Sequence, residues 1–240
     1  MKTNKPLSVL LSVVTGLFLV SASIAVPLLC RPFYYAHIGT MKLAEQTGLT
    51  EEQIRQAYDQ VMDFCLGVRE DFAAGVLWFS ESGVSHFADV KALFLLDLWV
   101  CGLSVVGLAA LFLYCRKKKV RPYCFLGHGP GFWSAVGLGA AFLAVGGLAA
   151  LDFDRAFVMF HALFFPGKDN WIFDWREDPI ILLLPQAFFR NCAILILVLL
   201  LVWCAILILA DLWANRVRKK KQEESNQNQN PCGGCPGCQG

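Results

Sequence analysis

Four blocks of this sequence are each long and apolar enough to cross a lipid bilayer: Leu7–Leu29, Ala92–Cys115, Phe132–Leu151 and Ala187–Ala210. A hydrocarbon core about 30 Å thick takes roughly 20 apolar residues of helix at 1.5 Å per residue. The 240-residue chain is 56% hydrophobic and 17% charged. A soluble domain of that makeup would interleave its apolar and polar residues, whereas here they are segregated. The last three blocks hold only two charges, Asp97 and Arg190, each near one end of its block. The expected fold is therefore an all-α polytopic membrane protein with four transmembrane helices and a small, mainly helical extracytoplasmic cap.

The first block follows Lys2 and Lys5 and contains Ser21-Ala22-Ser23, as a secretory signal would. Its apolar run of 23 residues exceeds the usual 7–15 of a signal, so an uncleaved anchor is expected. The large Leu29 before Cys30 argues against a lipoprotein cleavage box.

Charge sets the orientation. Lys2, Lys5, the Arg116–Arg121 cluster and the Arg216–Lys221 cluster place 12 basic residues and 3 acidic ones on one side. The other side has 9 basic and 16 acidic residues, so the two faces carry +9 and −7, which together give the chain's +2. Basic flanks mark the cytoplasmic side. Both termini are thus expected in the cytoplasm of a multi-pass plasma-membrane protein. The basic clusters are short and juxtamembrane, which suits anionic membrane lipids and gives no support to nucleic-acid binding.

Residues 1–215 read as a single membrane domain with outer segments at 30–91 and 152–186. The first outer segment contains a well-signalled helix over Gly48–Gly67: Thr50 and Gln53 make a capping box, Leu49 and Ile54 a hydrophobic staple, and Gly67 a stop. Its apolar residues Ile54, Ala57, Tyr58, Val61, Phe64, Cys65 and Val68 recur at helical spacing, fit either for packing in a cap or for lying as a lid on the membrane. The loop 116–130 reads as a simple connector. The tail 216–240 is basic and then polar, expected to be disordered, and ends in Cys232, Cys235 and Cys238. Three thiols fall one short of a structural zinc site. Of the remaining cysteines only Cys30 and Cys65 fall on the outer side, and nothing in the sequence pairs them.

A transport pathway would normally show ionisable groups at mid-membrane or interrupted helices, and neither is present. Chemistry is better sought in the four histidines, since imidazole can take and give protons near neutrality. His128 falls on the cytoplasmic side, and His37, His86 and His161 on the outer side. His86 lies just before the second block, with Asp89 at i+3 on the same face. His161 lies ten residues past the third block, and a continuing helix would put Asp154 at i−7 on its face. A metal centre would need a third ligand, for which Asp89 or Asp154 would serve, but no HExxH-like spacing is present. A serine nucleophile at Ser82 or Ser85 lacks a G-x-S-x-G elbow. A non-enzymatic reading, a scaffold or sensor with an acidic partner-binding cap, requires both histidines to be replaceable.

The stretches around these histidines carry a resemblance. Ser85-His86-Phe87-Ala88-Asp89-Val90-Lys91-Ala92-Leu93-Phe94 resembles one signature of the bacterial lipoprotein intramolecular transacylase family, and Phe153-Asp154-Arg155-Ala156-Phe157-Val158-Met159-Phe160-His161 followed by Ala162–Phe165 resembles another. Trp171-Ile172-Phe173-Asp174-Trp175 is similar to its tryptophan segment. Ile180–Phe189 is similar to the start of its fourth helix, with Gln186 where Glu is expected.

The resemblance implies an acyltransferase. It would move the sn-2 acyl chain of a diacylglyceryl lipoprotein to the α-amino group of that lipoprotein's N-terminal cysteine. The resemblance gives diacylglyceryl lipoproteins as the substrate; the charge split puts the site on the extracytoplasmic side, and no cofactor or metal is expected. His86 and His161 would form the acid–base pair, Asp89 would orient His86, and Arg155 and Asp154 would support the reaction. Phe165 and Trp171 would line the substrate.

Overall fold

The computed structural model describes residues 3–229, with side chains described through Asn226. Its candidate spans lie in four helices: α1 (Lys5–Leu29), α5 (Glu81–Lys118), α6 (Pro130–Leu151) and α9 (Gln186–Gln229). Between them run α2 (Arg31–Thr40), α3 (Leu43–Thr47), α4 (Glu51–Cys65), α7 (Phe153–Phe164) and α8 (Ile180–Leu183). Two short strands, β1 (Thr3–Asn4) and β2 (Arg121–Pro122), pair in parallel.

The bundle is organised around α1, which packs against α5, α6 and α9. Small residues let the other helices approach. A Cβ on Gly146 of α6 would sit 2.7 Å from Leu197 Cδ2 of α9, the kind of contact that brings helix backbones together where lipid gives no hydrophobic driving force. Leu19, Ala135, Leu200 and Cys204 are buried where α1, α6 and α9 meet. Large apolar side chains such as Leu103, Val106, Leu148 and Leu209 point outward and are exposed, as lipid-facing residues would be.

The principal core lies among the shorter helices and the first turns of α5 and α9. Tyr34, Ile38, Leu43, Ile54, Val61, Ile180, Leu183 and Phe188 bury one another among α2, α3, α4, α8 and the first turn of α9. Tyr34 stacks on Tyr58 with ring centroids 3.7 Å apart, and its hydroxyl donates to the Leu183 carbonyl at 2.8 Å. The apolar face of α4 is turned into this core, so it packs and is not a free lid. Helix α4 starts at the Thr50–Gln53 capping box. It stops where Gly67 takes φ +73° and Val68 N–H reaches back to the Asp63 carbonyl at 2.8 Å, a Schellman ending. That stop leaves Val68 exposed rather than on the buried face.

Several boundaries differ from the sequence expectation. Helix α5 begins at Glu81, capped by Ser80, so His86 and Asp89 lie in a helical extension of the second span. Helix α9 continues to Gln229, through the first part of the tail expected to be disordered. The Lys219–Glu224 stretch is built of good helix formers that simply prolong the span. The Cys232–Cys238 cluster falls outside the described residues. Cys30 and Cys65 are both free, Cys30 exposed and Cys65 buried.

The 116–130 loop is more than a connector. His128 Nδ1 lies 2.6 Å from Asp211 Oδ2, Gly129 N–H donates to Asp211 Oδ1 at 3.0 Å, and Asn215 Nδ2 donates to both Asp211 and the Gly127 carbonyl. These bonds fasten the loop to α9, and the β1–β2 pairing fastens it to the start of α1.

Candidate active site

The site forms where the N-terminal turns of α5 meet α7 and the 165–179 loop. An Asp152 side chain caps α7, accepting from Arg155 N–H at 2.9 Å, and the helix then runs unbroken to place His161 in its last turn. His86, in the second turn of α5, and His161 are both buried, and their ring centroids are 6.0 Å apart with planes inclined by 28°.

Aromatic rings enclose the pair. Phe165 lies 5.1 Å from His86 and 5.6 Å from His161, Phe173 lies 5.4 Å from His86, and Trp171 stacks on His161 at 4.5 Å. Phe157 covers His161 from one turn back, at 4.3 Å. Burial among these rings disfavours the charged form of both imidazoles. His86 is pushed down to about 4, by burial first and then by the neighbouring His161. His161 is also lowered, with burial outweighing its bond to the Phe157 carbonyl. Both rings are therefore neutral near physiological pH. His161 Nδ1–H donates to that carbonyl at 2.8 Å, which leaves the Nε2 lone pair free to take a proton.

The supporting residues are arranged differently from the sequence expectation. Asp89 makes no hydrogen bond to His86. Its carboxylate accepts from Lys168 Nζ at 2.6 and 2.7 Å and from Asn170 Nδ2 at 3.3 Å. The Lys168 bond is the main cause holding its pKa below the usual carboxylate range. Arg155 is exposed, with its Nε 3.6 Å from Asp152, and no hydrogen bond or ion pair joins it to either histidine. The cation whose charge reaches His86 is Lys168, held on Asp89. Asp154 is exposed and accepts from Gln186 Nε2 at 2.9 Å, so the Gln that replaces the expected Glu ties α7 to the start of α9.

Sequence reasoning missed Lys168, Asn170, Phe173 and Asp178. The signal was faint: Lys168-Asp169-Asn170 is a polar triplet between Phe165 and the aromatic Trp171–Trp175 segment. Asp178 fastens that loop, accepting from Ser80 N–H at 2.8 Å and from the Ser80 hydroxyl at 2.6 Å. Trp78 Nε1–H adds a bond to the Arg176 carbonyl at 2.9 Å.

The family model described as "Lipoprotein intramolecular transacylase Lit" matches residues 9–189. No curated protein sequence matches the chain. Among solved structures, the in meso structure of the membrane integral lipoprotein intramolecular transacylase Lit from Bacillus cereus superposes with a TM-score of 0.78 at 24% identity, covering 90% of this chain and 96% of that one. Two further structures of that Bacillus protein, each with a single histidine substituted, one to arginine and one to alanine, superpose at TM-scores of 0.72 and 23% identity. They cover 91% and 90% of this chain and 93% and 94% of theirs. These likenesses carry the four-span fold, and the family match carries the chemistry. The chain belongs to the lipoprotein intramolecular transacylase family, membrane enzymes that transfer an acyl chain within a lipoprotein.

Proposed function

We propose that this enzyme moves the sn-2 acyl chain of a diacylglyceryl lipoprotein onto the α-amino group of its N-terminal cysteine, with His86 and His161 carrying the protons. The observation that supports this reading is the pair of buried, neutral imidazoles at 6.0 Å, enclosed by aromatic rings.

The amine and the ester belong to one molecule, so proximity supplies much of the rate advantage. What the protein must add is control of protons. An α-ammonium group, with a pKa of about 7.7–8.0, carries three protons, and the product amide keeps one. One of the other two ends on the glyceryl oxygen and one goes to water. His161, with Nε2 free, takes the first, and the neutral amine then attacks the ester carbonyl. The new N–C bond forms as a tetrahedral adduct whose nitrogen gives its extra proton to His86. The C–O bond to glycerol breaks as an imidazolium donates to the leaving oxygen. Lys168 is the nearby cation able to favour the negative charge that develops on the carbonyl oxygen.

In this reading the α2–α4 and α8 cluster is an extracytoplasmic cap, the site faces outward, and both termini are cytoplasmic, in line with the +9/−7 charge split of the sequence. Membrane lipids would surround the aromatic mouth of the site. Single-cysteine labelling in intact cells should then modify residues near 70 and 170 and spare those near 118 and 218. Modification near 118 from outside would reverse the orientation. The activity itself is tested by mass spectrometry of lipoprotein N-termini in cells with and without the gene. The lyso-form, N-acyl and S-monoacylglyceryl, should appear only with it. Unchanged N-termini would rule the reaction out.

A further inference from the structure

Two buried polar atoms at the site have no partner in hydrogen-bond geometry: His86 Nδ1 and Asn170 Oδ1. A buried group left unsatisfied costs about 1–3 kcal/mol, so each such atom needs an explanation. The Asn170 amide cannot be turned over to offer its NH2 group inward. Its Nδ2 donates to Asp89 Oδ2 at 3.3 Å and lies 3.4 Å from Ser85 Oγ. The Asp89 carboxylate can only accept, and Lys168 Nζ holds it in place at 2.6 Å. The oxygen of Asn170 is therefore the atom left for the buried side, and an amide oxygen can only accept. His86 Nδ1 can do either, depending on the tautomer.

We infer that Asn170 is the positioning residue of His86, accepting a hydrogen bond from Nδ1–H and thereby fixing the tautomer that leaves Nε2 of His86 free for proton transfer. The inference rests on the reading of His86 as a proton-transfer group. It assigns Asp89 and Lys168 a role one step removed: they hold the amide, and the amide holds the ring. This one bond would satisfy both orphaned atoms, and it forms only with the proton on Nδ1. His161 reaches the same state by a different route, through its own backbone. The two rings thus present the same kind of nitrogen to a substrate. The charged and titratable groups facing His86 are His161 from α7, Asp89 on α5 itself, and Lys168 from the 165–179 loop. The Asn170 amide opposes the acidifying effect of burial.

The test is nitrogen NMR of isotope-labelled histidine in the full-length protein in detergent micelles, with His86 assigned by its disappearance in His86→Gln. Near neutral pH the wild-type His86 should show Nδ1 protonated and Nε2 bare. Asn170→Leu should lose that signature and lower kcat by about 10–100-fold, the size of loss seen when the outer partner of a metal-bound imidazole is removed, with KM little changed. Asn170→Asp, which keeps an acceptor toward the ring but loses the NH2 group that Asp89 grips, should recover the tautomer only in part. A wild-type His86 protonated on Nε2 overturns the assignment whether or not any variant folds. So does an unchanged His86 signature in Asn170→Leu. Either result leaves the histidine mechanism standing, because that mechanism is judged separately by the activity of His86→Ala.

Discussion

His86→Ala and His161→Ala are each expected to lower lyso-lipoprotein formation by about 10²–10⁴-fold, the range that a positioned general acid or base contributes. The amount of protein in the membrane should stay close to that of the wild type, because both rings sit outside the α1, α6 and α9 contacts that hold the bundle. His37 and His128 provide the contrast. His37 packs in the α2 cluster against Phe33 and Phe188, and His128 lies at the opposite end, bonded to Asp211. Alanine at either position should leave turnover within a few fold. The pH profile follows from the same geometry. His86, held down to about 4, stays neutral well below the ordinary imidazole value of 6.5. The rise in rate with pH should therefore track the substrate amine near 7.7–8.0 rather than His86. Near-wild-type turnover with either motif histidine replaced would end the two-histidine mechanism.

The second large effect is expected at Asp178. This buried carboxylate takes both the backbone N–H and the hydroxyl of Ser80, and the same hydroxyl accepts the Gly83 N–H that caps α5, at 2.9 Å. It is the clasp by which the loop bearing Lys168, Asn170 and Trp171 is held against the turns bearing His86. Asp178→Ala leaves the Ser80 donors without their partner, at a cost of about 1–3 kcal/mol. Gly83→Val should act alike from the other side, since a Cβ there would fall 2.3 Å from Asp178 Oδ1. Both variants should unfold at lower temperature in micelles and lose most of their turnover, while single-site changes on the lipid face do neither. If Asp178→Ala keeps the wild-type unfolding temperature and rate, the loop is fixed by something else.

How much of this could be read from the sequence depends on the range of the interaction involved. The spans were legible because segregation of apolar residues is a local property. So was α4, whose Thr50, Gln53 and Gly67 state its two ends within a few residues of each. The histidine motifs stood out because each is one short segment. The partners of those histidines did not. Lys168 meets Asp89 across 79 residues, and Asp178 meets Ser80 across 98. No periodicity encodes such pairings. Asp89 illustrates the failure: its i+3 spacing put it on the right face of α5 but gave no hint that Lys168 and Asn170 would claim its oxygens. Arg155 looked catalytic by adjacency to the motif, yet the capping Asp152 of its own helix takes it. The start of α5 lies 11 residues before the apolar block at Ala92, because Ser80 and Glu81 announce a helix that the apolar pattern marks only later.

The central claim, an acyl shift within one molecule run by a protein-bound proton exchange, is tested most directly with a synthetic diacylglyceryl lipopeptide carrying an isotope label only in its sn-2 chain. Purified enzyme in micelles would be given this peptide together with an unlabelled one of different mass, and the products read by mass spectrometry. The expected result is the label on the α-amino nitrogen of the peptide that brought it, with none on the second peptide and a rate lower by about 10²–10⁴-fold when either histidine is alanine. Label released as free fatty acid, passed to the other peptide, or transferred equally well by His86→Ala would contradict the mechanism.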